Sequence, residues 1–66
     1  MNAKQARGFY IERNYSEEVR AIEDLIGRLA DSRRAYVDKL SVMVAIYLVE
    51  RGFVVRERDG GYIISW

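Results

Sequence analysis

Hydrophobic positions in the first half of the chain recur at the spacing of an α-helix. Asn14 or Ser16 is suited to cap the start of this helix, and acidic residues at 17 and 18 favour its positive N-terminal end. Steps of three and four residues predict one apolar stripe along it. The stripe is formed by Val19, Ile22, Leu25, Ile26 and Leu29.

The segment before this helix has a different pattern. Residues 7–13 read "RGFYIER", which is aromatic and β-branched and is followed by the polar residues "NYS". Such a run predicts a short strand. Residues 1–6 are then expected to be a flexible N-terminal arm.

A second helix is predicted from a cap at Asp31 or Ser32 to about Arg51, with Gly52 as the left-handed residue after its end. Residues 42–49, "VMVAIYLV", are apolar on every face of this helix. A helix that is apolar all round is buried all round. A chain this short often gains its missing burial by oligomerising, so we expect a homodimer. Its predicted interface is Leu40, Val42, Met43, Val44, Ile46, Tyr47, Leu48 and Val49.

The C-terminal residues "RGFVVRERDGGYIISW" have the pattern of a β-hairpin. An Asp59-Gly60 turn of type I′ would pair Arg58 with Gly61. One face of the hairpin is then predicted to be apolar, with Glu57 as its one charge. The other face carries Arg56 and Arg58.

Together these elements predict an α+β fold with the order β-α-α-β-β in a single small domain, residues 1–66. The N-terminal strand would either join the hairpin as a third strand or pair with its copy across a dimer axis. The homodimer is expected to be intertwined or packed through its helices.

The composition limits the kinds of catalytic and metal site that the chain can form. The chain has no cysteine and no histidine, which excludes disulfides and thiolate metal sites and removes the usual general base. No glycine-rich phosphate loop precedes a predicted helix, and no paired carboxylates are set apart for acid–base work. We therefore expect a protein that is not an enzyme and has no metal, cofactor or small-molecule substrate. No apolar run is long enough to span a bilayer, and no secretory signal begins the chain, so a cytoplasmic location is expected.

Net charge is only +1, so any anion-binding surface depends on where the arginines lie. Arg33, Arg34 and Lys39 would occupy the first turns of the second helix, where backbone amides and basic side chains meet phosphates together. Nearby carboxylates at 31, 38, 57 and 59 could instead neutralise several of the basic residues. The predicted DNA contacts are Arg7, Arg13, Arg33, Arg34, Lys39, Arg56 and Arg58.

The last twenty residues or so, "YLVERGFVVRERDGGYIISW", resemble the end of a winged-helix domain. This resemblance implies a helix closing near Leu48, a turn at Gly52 and a basic wing at Arg56 and Arg58. The recognition helix of that family would correspond here to a helix whose second half is wholly apolar. Only its first turns would then be able to read a groove.

Residues 9–52, as a strand and two helices, are also similar to the ribbon-helix-helix regulators. That resemblance implies an obligate dimer with paired first strands, and a phosphate held at Ser32, Arg33 and Arg34. Residues 9–12 provide no row of basic or amide side chains to read bases.

These patterns favour a small homodimeric DNA-binding protein of the transcription-regulator type. A protein-interaction or assembly module that binds no nucleic acid is the alternative, favoured by the near-neutral charge and the acidic first helix. RNA binding is a third reading, in which Tyr10 and Tyr62 would stack on bases.

Overall fold

Three helices pack against one face of a three-stranded antiparallel sheet in the computed structural model, which describes all residues from Met1 to Trp66. The predicted α+β class is confirmed, but the order is α-α-β-α-β-β rather than β-α-α-β-β. The elements are α1 (Ala3–Asn14), α2 (Ser16–Arg28), β1 (Arg34–Val37), α3 (Val42–Glu50), β2 (Val54–Arg58) and β3 (Gly61–Ser65).

The strand predicted for residues 7–13 is wrong, because this segment lies in α1. Asn2 caps the helix: its Oδ1 accepts from the Gln5 amide at 2.8 Å, and the Asn2 amide donates to Gln5 Oε1 at 3.0 Å. Ile11 is fully buried between the helices and the sheet, and this burial overrides the strand preference of its neighbours. The paired ribbon of the ribbon-helix-helix proteins is therefore not formed. Residues 3–6, placed in a flexible arm by the sequence pattern, form the first turn of α1.

The predicted first helix is confirmed as α2, although neither Asn14 nor Ser16 is its cap. Tyr15 occupies that position without a side-chain hydrogen bond. The carboxylate of Glu18 in α2 is bonded to Ser41. It accepts from the Ser41 amide at 2.8 Å and from the Ser41 hydroxyl at 2.6 Å. Since Ser41 is the N-cap of α3, Glu18 ties the start of α3 to α2 and complements its helix dipole.

The long second helix predicted from Asp31 or Ser32 to Arg51 is wrong in its first half. Residues 30–32 form one 3₁₀ turn, and Arg33 then adopts a left-handed conformation with φ of 61° that stops any helix. The next four residues form β1 and pair with β3. Only α3 remains helical, and Gly52, with φ of 95°, ends it as predicted.

The C-terminal hairpin is confirmed with its predicted register. Asp59 and Gly60 both have positive φ, 51° and 82°, as a type I′ turn requires. Arg58 pairs with Gly61, and β3 lies in the centre of the sheet between β1 and β2. Phe53 and Trp66 meet edge to face at the open end of the hairpin, with ring centroids 6.0 Å apart.

The core lies between the helical layer and the inner face of the sheet. It draws on every helix and on the central strand: Ile11, Val19, Ile22, Val44, Tyr47, Leu48 and Ile64. None of the helices is long and apolar enough to cross a membrane.

Candidate nucleic-acid interface

The sheet has an outer face that no helix covers. Its residues follow from the register, because alternate positions along a strand point to opposite sides. In rows across β1, β3 and β2, Arg34 lies beside Ser65 and Val54, and Tyr36 lies beside Ile63 and Arg56. Gly61 and Arg58 form the last row, next to the hairpin turn. We call this surface the outer face: Arg34, Tyr36, Val54, Arg56, Arg58, Gly61, Ile63 and Ser65.

The arginines of the outer face are poorly neutralised. Arg34 and Arg56 form no ion pair, and Arg58 reaches only its neighbour Asp59, at 3.8 Å, with both side chains largely exposed. An exposed pair of this length contributes little, since solvent screens it. The outer face is therefore a patch of positive charge in a protein whose net charge is only +1.

Tyr36 brings an aromatic ring to the middle of this patch. Its side chain is 50% exposed, and its phenol lies over Gly61, where a Cβ would stand 2.5 Å from the Tyr36 Cζ. Glycine at 61 thus makes room for the ring to lie across the sheet. The half-buried Ile63 lies beside it in the central strand.

The other basic residues predicted to contact DNA lie elsewhere. Arg7 is paired with Glu50 through its Nε at 3.0 Å, and this hydrogen bond, with the charge of Glu50, raises the pKa of Arg7. Arg13 lies in the last turn of α1, where its charge favours the helix end. Arg33 donates to the Trp66 carbonyl at 3.2 Å, and Lys39 lies in the loop between β1 and α3.

The helix start expected to place Arg33, Arg34 and Lys39 together does not exist. The fold instead brings Arg34 to the same sheet face as Arg56 and Arg58. Tyr36 was missed because it was assigned to a helix. The sequence gives only a weak signal for this strand: Tyr36 and Val37 favour strands, but four residues are too few to show a strand pattern.

A second surface lies along α3. Val42, Ile46 and Val49 are exposed at steps of four and three residues, and Val42 is 75% exposed. They border a shallow groove of about 400 Å³, which we call the α3 groove. It is lined by Leu40, Val42, Ala45, Ile46, Val49, Glu50, Val55, Glu57 and Tyr62.

The predicted dimer residues therefore differ in exposure, from buried through half-buried to exposed. Val44, Tyr47 and Leu48 are buried within one chain, whereas Leu40 and Met43 are half-buried. The remaining three form the exposed stripe. One copy of the chain covers the inner half of this helix and leaves the other half open.

Polar contacts fix α3 to α1. Glu12 Oε1 accepts from the Tyr47 hydroxyl at 2.9 Å and from Arg51 Nη2 at 3.2 Å, and the Arg51 guanidinium lies 3.7 Å above the Tyr47 ring. Burial, followed by the hydrogen bond to Glu12, raises the pKa of Tyr47 to about 12. The hydrogen bond from Arg7 lowers the pKa of Glu50. These residues hold the helical layer together, on the opposite side of the sheet from the outer face.

No group of three or more carboxylates is arranged to hold a metal ion. Comparison with protein-family models, with curated proteins and with solved structures gives no match for this chain.

Proposed function

We propose that this chain is a small, non-enzymatic nucleic-acid-binding protein that contacts phosphates through the outer face. The observation that carries the proposal is the grouping of Arg34, Arg56 and Arg58 on one side of the sheet, with no carboxylate in close contact with the first two. Arginine presents a planar fork of donors that matches phosphate oxygens. Arg34 and Arg56 form no ion pair, so binding at these two residues would break none, and Arg58 would give up only its exposed contact with Asp59.

Rigid support favours the same surface. The outer face is built on the sheet itself, whose central strand is bonded on both sides, so its side chains start from a fixed backbone. The proposal replaces the helix start that the sequence pattern suggested. Arg34 keeps the phosphate-binding role expected for it, and Arg56 and Arg58, expected as groove contacts of a wing, join it in that role, whereas Arg7 is occupied by Glu50.

Fluorescence anisotropy with labelled oligonucleotides tests this proposal. We expect salt-dependent binding that weakens by about 5- to 10-fold in Arg56→Gln, with a shallower dependence of affinity on salt because one phosphate contact is lost. Arg20→Gln is the matched control, since Arg20 is an exposed arginine of α2 without an ion pair. Absence of binding at low salt, or equal losses in the two variants, would refute the proposal.

We further propose that the functional unit is a homodimer formed through the α3 groove. The exposed stripe of Val42, Ile46 and Val49 supports this arrangement, because soluble chains seldom leave a row of large apolar side chains uncovered. A two-fold axis near Ile46 would bring Val42 of one copy against Val49 of the other. The outer faces would remain open, and the dimer would present two of them.

Sedimentation velocity measures this assembly directly. Val49→Lys is expected to convert a dimer into a monomer, whereas Val54→Lys, at a valine of similar exposure on the outer face, is expected to leave the dimer intact. A wild-type protein that is monomeric at high concentration would refute the dimer and leave the outer-face proposal standing.

The alternative function is an assembly module that binds another protein and no nucleic acid. The same exposed stripe on α3 favours it. The two functions separate cleanly by mutation. An assembly module would lose partner binding in Val49→Lys and keep it in Arg56→Gln, whereas a nucleic-acid-binding protein would bind nucleic acid more weakly in Arg56→Gln.

A further inference from the structure

The geometry of the hairpin bears on which nucleic acid the outer face would bind. β1 pairs with β3 from Ser65 to Tyr62, so only the Arg58–Gly61 pair and the turn extend beyond β1. Three strands spaced about 4.8 Å apart occupy about 14 Å with their backbones. The major groove of a duplex is about 12 Å wide and admits one helix or a two-stranded ribbon. The hairpin is thus not a projecting wing, because β1 backs all of it except the Arg58–Gly61 pair and the turn.

The helix that precedes the hairpin is no better suited to a duplex. Base edges in the major groove are read by hydrogen-bonding side chains. The solvent-facing stripe of α3 instead carries Val42, Ile46 and Val49. Neither element therefore has both the shape and the chemistry to enter a groove.

A single strand makes different demands, which the outer face meets. Unpaired bases stack on exposed aromatic rings, and their phosphates follow a positively charged surface. Tyr36 is half exposed, the hydroxyl end of its ring lies over Gly61, and Ile63 is its neighbour in the central strand. Arg34 is two residues from Tyr36 on the same strand, and Arg56 lies on the far side of Ile63. Cationic groups thus lie on two sides of the ring.

We infer that the outer face binds single-stranded nucleic acid in preference to a duplex, with a base stacked on Tyr36 and phosphates held by Arg34 and Arg56. This inference rests on the proposed function and adds the class of ligand and the role of Tyr36. Stacking is tolerant of sequence, because every base has an aromatic face. Binding is therefore expected to depend weakly on base order and strongly on strandedness.

Anisotropy titrations with single-stranded DNA, single-stranded RNA and duplex DNA of one length provide the test. We expect at least one single strand to bind about tenfold more tightly than the duplex. Tyr36→Ala is expected to weaken single-strand binding by about tenfold without changing its salt dependence, since a stacking contact releases no counterion. Arg56→Gln is expected to weaken binding and reduce the salt dependence.

Two further variants separate stacking from damage to the fold. Tyr36→Phe keeps the ring and is expected to bind single strands as tightly as the wild type. Tyr10→Ala removes a tyrosine of similar exposure on α1 and is expected to have no effect on binding. Circular dichroism establishes that each variant is folded.

The outcomes distinguish this inference from the proposal beneath it. If the duplex binds as tightly as the single strands, or if Tyr36→Ala binds like the wild type while Arg56→Gln is impaired, the single-strand inference fails and the phosphate-binding function remains. If none of the nucleic acids binds in a salt-dependent way, both fail.

Discussion

The two faces of the sheet are made from alternate residues of the same strands, and they differ in almost every respect. The inner face presents Ala35, Val55 and Ile64 to the helices, and Ile64 has no exposed surface. The outer face carries Tyr36, Arg56 and Ile63, of which the first two are exposed and Ile63 is half-buried. Burial on the inner face specifies the fold. Residues of the outer face are therefore available for binding, because the core does not depend on them.

Two tyrosines illustrate the same difference. Tyr47 lies in the helical layer with its hydroxyl bonded to Glu12 and its ring under Arg51. Tyr36 lies on the outer face with half of its surface open and no hydrogen bond from its hydroxyl. A buried tyrosine with its polar end satisfied contributes to packing, whereas an exposed one offers a ring to a ligand.

The largest expected effect comes from truncating neighbouring isoleucines of β3. Ile64→Ala removes a fully buried side chain and is expected to lower the free energy of unfolding by about 2–5 kcal/mol. Ile63→Ala, one residue away on the outer face, is expected to lower it by less than half as much, because this side chain is only half-buried. Urea denaturation followed by circular dichroism measures both.

A domain of 66 residues has little stability in reserve, so a milder variant is needed for the case in which Ile64→Ala does not fold. Ile64→Val then provides the comparison, with an expected loss of about 0.5–1.5 kcal/mol. Equal losses at 63 and 64 would contradict the assignment of the two faces.

The next effect concerns alkaline pH and Tyr47. Its pKa is raised from 10 to about 12 in the folded protein, so folding keeps the proton on the hydroxyl. The stabilisation is complete below pH 10 and is lost as the pH rises through about 12. The corresponding stabilisation is at most about 3 kcal/mol, and screening by solvent reduces it.

Tyr47→Phe isolates this contribution, because phenylalanine does not titrate. We expect the free energy of unfolding of the wild type to fall more steeply between pH 10 and pH 12 than that of the variant. At neutral pH the variant is expected to lose about 1 kcal/mol with its hydrogen bond to Glu12. If the free energy of unfolding of the two proteins fell equally with pH, the pKa of Tyr47 would not be raised by folding.

A smaller effect is expected at Gly61, where the outer face meets the backbone. A Cβ there would stand 2.5 Å from the Tyr36 Cζ and 2.8 Å from the Val37 carbonyl oxygen, so both the ring and β1 would have to shift. Gly61→Ala is expected to lower stability by about 1–3 kcal/mol. Gly27→Ala is a suitable control, because a Cβ at Gly27 meets nothing within 4 Å. An unchanged Gly61→Ala variant would mean that Tyr36 does not lie over this residue.

Local pattern was sufficient for part of the fold. The stripe of α2 and the Asp59-Gly60 hairpin were predicted correctly, because the spacing of their apolar residues and the turn chemistry agree with the tertiary packing. Residues 7–13 were predicted as a strand because Phe9, Tyr10 and Ile11 favour one. The segment is nevertheless helical, because a helix buries Ile11 and is capped by Asn2.

The candidate site was harder to predict for a physical reason. Whether Arg34 and Arg56 share a face depends on the pairing of β1 with β3, which joins residues about thirty positions apart. Local spacing contains no information on that pairing. A single left-handed residue, Arg33, ends the helical segment and turns the chain into β1. The alternation of residues along the hairpin was sufficient to predict that Arg56 and Arg58 lie on the same face.

The smallest expected effect is the change in the protein's stability when an arginine of the outer face is replaced. Arg56→Gln removes a charge that forms no ion pair and lies on a face with two other arginines. We expect the free energy of unfolding to change by less than about 0.5 kcal/mol. The change should be a slight gain at low salt that disappears at high salt, because screening removes the repulsion among the arginines. Urea denaturation at two salt concentrations measures it, with Arg28→Gln as a control whose ion pair with Asp24 is lost. A clear destabilisation in Arg56→Gln would mean that this arginine supports the fold, and its exposure would then no longer favour a role in binding.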